Sequence, residues 1–149
     1  MKWVIAIDPG TTQSAYVIWD GAEIKDKGIE LNESLLQSLH DYKKPRFPMV
    51  IEQIRCYGMP IGATTLDTVF WSGRFWEAWK GEKYLMPRLE VKKHICHNGS
   101  AKDSNIRHAL IDRFGEPGRK KEPGLLYGVK KDIWAALAIA VTWIDQLGE

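Results

Sequence analysis

The sequence predicts an α/β fold with a mixed sheet, and three observations predict it. Two short apolar runs, Val4-Ile5-Ala6-Ile7 and Met49-Val50-Ile51, each stop at an acid, Asp8 and Glu52. Runs this short read as buried strands rather than helices. Between them, Ala15 to Trp19 is rich in β-formers and leads into Asp20-Gly21, a strong hairpin signal. Near the end, Trp134, Leu137, Val141 and Ile144 recur at the spacing of one helix face.

Taken in order, the first strand ends at Asp8 and turns at Pro9-Gly10. A second strand over 15–19 and a third over 22–29 complete three antiparallel strands. Asn32 is a good N-cap for a helix carrying Leu35, Leu36, Leu39 and Tyr42, which ends before Pro45 and crosses the sheet. Residues 48–52 repeat the opening pattern as a parallel strand, so Asp8 and Glu52 meet at neighbouring carboxyl ends, where α/β sheets form sites. A helix over 61–80 presents Leu66, Val69, Phe70, Gly73 and Trp76, with Gly73 allowing close approach of another backbone. A final strand over 83–89 is placed at an edge or strand end by Pro87. Ile106, Ala109, Leu110 and Phe114 mark a short helix stopped by Gly115, with Arg107 and Arg113 toward solvent. Residues 116–131 read as a mobile basic loop. In the last helix, Ala135, Ala136, Ala138 and Ala140 permit close packing, and Asp132 stands at its first turn.

At 149 residues, the chain fits one domain, 1–149, able to bury a core without staples. No apolar run approaches the roughly 20 residues of a membrane span, and Met1-Lys2-Trp3 leaves no room for a signal peptide. Two cysteines, Cys56 and Cys96, suit a reducing compartment, and a soluble cytoplasmic protein is expected. The net charge is only +2, yet bases outnumber acids from Arg88 to Lys131, which suits a polyanionic partner as well as a solvated surface. His94, Cys96, His97 and Cys56 lack the paired spacing of a zinc knuckle. Of the seven tryptophans, Trp71, Trp134 and Trp143 read as core, and Trp76 and Trp79 as candidates for a dimer surface.

Asp8, Glu52 and Asp132 each end or begin an apolar element. Individually they read as a turn cap, a strand-end acid and a helix-start anion. Together, three carboxylates in one pocket repel unless a hard divalent cation, Mg²⁺ or Mn²⁺, neutralises them. Two such ions roughly 3.5–4 Å apart activate water and stabilise the leaving oxygen in phosphodiester cleavage.

Val4-Ile5-Ala6-Ile7-Asp8-Pro9-Gly10, Val50-Ile51-Glu52-Gln53-Ile54 and the stretch from Asp132 to Ala140 occur in the order and character of RuvC-like Holliday-junction resolvases. Val91-Lys92-Lys93 followed by Gly99-Ser100-Ala101-Lys102-Asp103 resembles that family's lysine-bearing segment. The likeness spans nearly the whole chain, and the small size resembles phage-encoded members. It implies an RNase H-like mixed five-stranded sheet flanked by helices, and a homodimer that nicks two opposed strands of a four-way or branched DNA. It further implies Mg²⁺ or Mn²⁺, two ions per site, held by Asp8, Glu52 and Asp132, and a bacterial or phage-infected host cytoplasm. Lys92, Lys93 and Lys102 carry over as phosphate contacts, and Arg107 from the same basic stretch is a further DNA-binding candidate. There are two departures. Ala135 stands where the family commonly has a further acid, and Arg55 where relatives often carry an aromatic that intrudes on junction bases. Tyr57 is the nearby substitute, and Arg55 itself can stack or contact phosphate. Ala135 motivates a second reading, a catalytically impaired junction-binding protein. A third is an RNase H-like nuclease acting on RNA, because the fold does not choose the substrate. Ile7 to Thr12 also resembles the phosphate loop of actin-like ATPases, which need two related domains for which this chain has no room.

Overall fold

The strands follow from where apolar residues alternate or run. In the computed structural model, which describes residues 2–148, β1 (Val4–Asp8), β2 (Gln13–Trp19) and β3 (Ile24–Leu31) form an antiparallel meander. Helix α1 (Asn32–Asp41) then crosses over, and β4 (Met49–Gln53) pairs parallel with β1. After α2 (Ala63–Ala78), β5 (Lys83–Pro87) adds parallel to β4, giving the sheet order β3-β2-β1-β4-β5. The predicted mixed sheet of three antiparallel and two further parallel strands is therefore the observed one. Pro87 ends an edge strand, where its missing N–H leaves no ladder bond open.

Both faces of the central strands are covered, which explains their continuous apolar runs. Val4 and Ala6 of β1 and Val50 of β4 face α5 (Ile133–Leu147). Ile5, Ile7 and Ile51 face α1 and α2 on the other side, beside an aromatic group of Tyr42, Phe47 and Trp79. The small Ala136, Ala138 and Ala140 let α5 lie flat on the sheet. No helix is long and apolar enough to cross a membrane among the described residues.

Four expectations are corrected. Asn32 does not cap α1: Leu31 is the cap residue, and the Asn32 side chain is buried facing the β1–β2 turn. The face of α2 formed by Leu66, Val69 and Phe70 is exposed, and nothing approaches Gly73. A second stripe, Trp71, Phe75 and Ala78, is the one α2 turns inward; two apolar stripes share this helix, and periodicity alone does not choose between them. Trp79 is core rather than surface, because the chain leaves α2 there and drops the indole among Tyr42 and Phe47. The basic 116–131 segment is not a featureless loop. It contains a hairpin, β6 (Gly118–Arg119) against β7 (Glu122–Pro123), with Lys120-Lys121 at its turn. Gly118 there has a φ of +74°, and a Cβ would stand 2.4 Å from the carbonyl oxygen of Glu122.

Two helices follow β5. The first, α3 (Arg88–Cys96), falls where only a lysine-bearing segment was read; the second, α4 (Asp103–Phe114), is the predicted short helix.

Candidate active site

Period-two alternation decides where the acids point. Ala6 and Val50 face α5, so Asp8 and Glu52, two residues further along adjacent parallel strands, face it too. Each is only 8% exposed. The two carboxyls are close enough for the charge of each to bear on the other. Burial, then the charge of Glu52, push the Asp8 carboxyl up to about 8; Arg88 opposes the rise and Asp132 adds to it. At neutral pH this pair therefore keeps a proton or takes a cation.

A buried polar network sets the turn that carries Asp8. Asn32, 1% exposed, donates to the carbonyl of Gly10 at 2.9 Å, and the Ser14 hydroxyl donates to its Oδ1. The Gly10 N–H in turn donates to Ser14 Oγ at 3.0 Å. Gly10 itself leaves no room for a side chain, since a Cβ would lie 2.3 Å from the carbonyl oxygen of Gln13.

Arg88, the first residue of α3, supplies the site's resident cation. Its Nε donates to Glu52 Oε1 at 2.8 Å, and its Nη1 lies 3.6 Å from Asp103 Oδ1. Burial alone would lower its pKa, but Glu52, Asp103 and Asp8 outweigh burial and hold it above the usual arginine value. In the sequence Arg88 stands out only as one base among the many from Arg88 to Lys131. The rule that picked out Asp8 and Glu52, a charged residue where a strand leaves the core, applies equally to Arg88 after Pro87.

Asp132 stands at the N-cap of α5, exposed, with no side-chain cap bond. Its charge reaches Asp8. Among the described residues, however, no group of three His, Cys, Asp or Glu side chains is gathered tightly enough to hold an ion. The structure thus pairs two of the three predicted acids and sets the third on the rim. The donor set still suits a hard divalent cation, being all oxygen, buried and mutually repulsive in the Asp8–Glu52 pair.

The predicted DNA contacts divide among four places. Arg55, Tyr57 and Lys93 line one open groove of about 610 Å³, together with Pro87 and Leu89 on either side of Arg88. Lys102 precedes Asp103 at the start of α4, and its backbone N–H donates to Asn105 Oδ1 at 2.8 Å. Arg107 lines a separate hollow with Lys130, Lys131 and Trp134, next to Asp132. Lys92 is half-buried on α3, outside both.

The structure of Thermus thermophilus RuvC aligns with a TM-score of 0.66 at 18% identity, covering 98% of this chain and 96% of that one. The chain has the RuvC fold. T. thermophilus RuvC in complex with a Holliday junction substrate aligns with a TM-score of 0.64 at 16% identity, over 99% of this chain and 97% of that one. No family model matches the chain, and no curated protein matches it by sequence. The RuvC fold accounts for the mixed five-stranded sheet and the helices that flank it.

Proposed function

We propose that this chain is a single-domain, metal-dependent endonuclease that resolves four-way or branched DNA by paired nicks, acting as a homodimer. One observation carries the proposal: Asp8 and Glu52 are buried side by side at adjacent parallel strand ends, with Asp8 held near a pKa of 8 by that burial. A desolvated acid pair is costly unless a cation answers it. Asp8 and Glu52, with Asp132 reaching from the rim, are the proposed ligands of Mg²⁺ or Mn²⁺, with two ions per site as the working stoichiometry. When bound, such ions activate water and stabilise the leaving oxygen of a phosphodiester. Arg55, Tyr57 and Lys93 hold a DNA strand in the groove they line, while Lys92, Lys102 and Arg107 contact phosphates elsewhere on the surface. Such contacts position DNA without reading its sequence.

Ala135 and the rim position of Asp132 favour a second reading, a junction-binding protein with impaired chemistry. Nicking of a synthetic four-way junction with Mg²⁺ or Mn²⁺ separates the two. Paired symmetric nicks are expected from the unaltered chain. Asp8→Asn and Glu52→Gln should each lower the rate by at least a hundredfold while retaining binding, with Asp132→Asn costing less. Tight junction binding with no nicking by any form would establish the second reading. Preferential cutting of an RNA/DNA hybrid run alongside would shift the substrate to RNA.

A further inference from the structure

We infer that Arg88 couples DNA docking to metal loading by exchanging Glu52 for a DNA phosphate. The inference deepens the nuclease reading and rests on it. Its basis is where Arg88 stands, with the buried acid pair on one side and solvent on the other. On one side its Nε holds Glu52, whose side chain is 10% exposed, at 2.8 Å. On the other, its own side chain is 43% exposed, and its neighbours Pro87 and Leu89 line the groove with Lys93, Arg55 and Tyr57.

The two ends of the guanidinium are held unequally. The bond to Glu52 is short and sheltered. The contact to Asp103 is 3.6 Å, with that carboxylate 77% exposed, where solvent and salt screen it. Arg88 therefore answers the charge of Glu52 when no DNA is present, and a divalent ion must compete with it for the same oxygen. A DNA phosphate reaching the exposed side of Arg88 offers the guanidinium a bidentate partner at least as good as a single carboxylate oxygen. Once Arg88 turns to that phosphate, Glu52 is left buried with an unanswered charge, which favours the cation. Metal affinity and DNA affinity then rise together, and by linkage each raises the other equally.

Mn²⁺ titration followed by electron paramagnetic resonance tests this. The folded wild type and Arg88→Gln are compared, each with and without a four-way junction carrying hydrolysis-resistant phosphorothioate linkages. In the wild type the junction should tighten Mn²⁺ binding by roughly tenfold, a typical coupling. Arg88→Gln should bind Mn²⁺ roughly tenfold more tightly than wild type without DNA, from removal of a competing charge, and gain little from the junction. Arg88→Lys should recover part of the coupling, having the charge without the fork. Adding Glu52→Gln should abolish the gain made by Arg88→Gln, locating it at that carboxylate. Equal or weaker Mn²⁺ binding by Arg88→Gln without DNA overturns the inference while leaving the nuclease reading intact. Absence of Mn²⁺ binding and of nicking by the wild type overturns both.

Discussion

Asn32 shows how a residue with no contact to substrate can govern a site. Its carboxamide links the Gly10 carbonyl to the Ser14 hydroxyl, and both groups sit at the turn that carries Asp8. Asn32→Ala strands a half-buried carbonyl and takes the acceptor from the buried Ser14 hydroxyl, each costing about 1 kcal/mol. Unfolding followed by tryptophan fluorescence should therefore show a loss of about 2 kcal/mol, or about 4–8 °C in Tm for a chain of this size. Asn32→Asp keeps the acceptor for Ser14 and loses the donor to Gly10, so it should lie between Asn32→Ala and wild type. The sequence marked Asn32 as a helix cap because that is the commonest use of Asn before an apolar helix. Its true partners lie 18 and 22 positions back in the chain, at distances local reasoning does not reach. Asp8 and Glu52 were legible for the opposite reason: a short apolar run ending in an acid is a local pattern, and strand parity then fixes both side chains on one face.

Three helices meet at Asp145, and that meeting sets the attitude of the lysine-bearing α3. The α5 carboxylate accepts from Arg113 Nη1 and Nη2 of α4 at 2.6 and 2.8 Å, and from His94 Nε2 of α3 at 2.8 Å when that nitrogen carries the proton. The Arg113 hydrogen bonds, and after them His94, hold the Asp145 carboxyl below the usual aspartate range. A folded-state pKa below the unfolded one means the unfolded chain takes up the proton first. The stabilisation is thus fully present above the unfolded aspartate value, near 4, and fades as pH falls through the folded one. Asp145→Asn should cost about 1 kcal/mol in urea unfolding at neutral pH, and its deficit should shrink progressively below about pH 4. A deficit constant from pH 7 to pH 3 would show that packing, not charge, fastens these helices. This clasp was not readable from sequence, since α3 itself was missed. Only Val91 of its nine residues is fully buried, with Ile95 and Cys96 half-buried against the core, a short apolar edge broken by Lys92, Lys93 and His94. The basic hairpin was hidden similarly: two-residue strands carry no alternation, and only Gly118 and Gly124 hinted at a structured turn.

At the scale of the whole molecule, α2 leaves its Leu66, Val69 and Phe70 face without a partner in this chain, with the three side chains 61%, 46% and 62% exposed. Met59 and Ile61, just before the helix, are exposed as well. Contiguous exposed apolar surface of this kind marks an interaction face. The proposed function says what should cover it: one chain holds one acid pair, and paired nicks in two opposed strands require two. A two-fold contact places the same face of both copies together, so each substitution counts twice. Phe70→Glu removes about 2 kcal/mol of burial from each copy and sets like charges across the axis, weakening association by roughly a thousandfold. Sedimentation should then show a dimer becoming a monomer at micromolar concentration. Junction nicks should lose their pairing and fall independently on either strand. The fold should melt as before, because Phe70 contributes nothing to the buried core of its own chain. A Phe70→Glu protein that stays dimeric and nicks in pairs would move the dimer surface elsewhere. The exposed stripe would then be free to meet DNA or another protein, beside a groove where Val69, Gly73 and Trp76 adjoin Glu52 and Leu85.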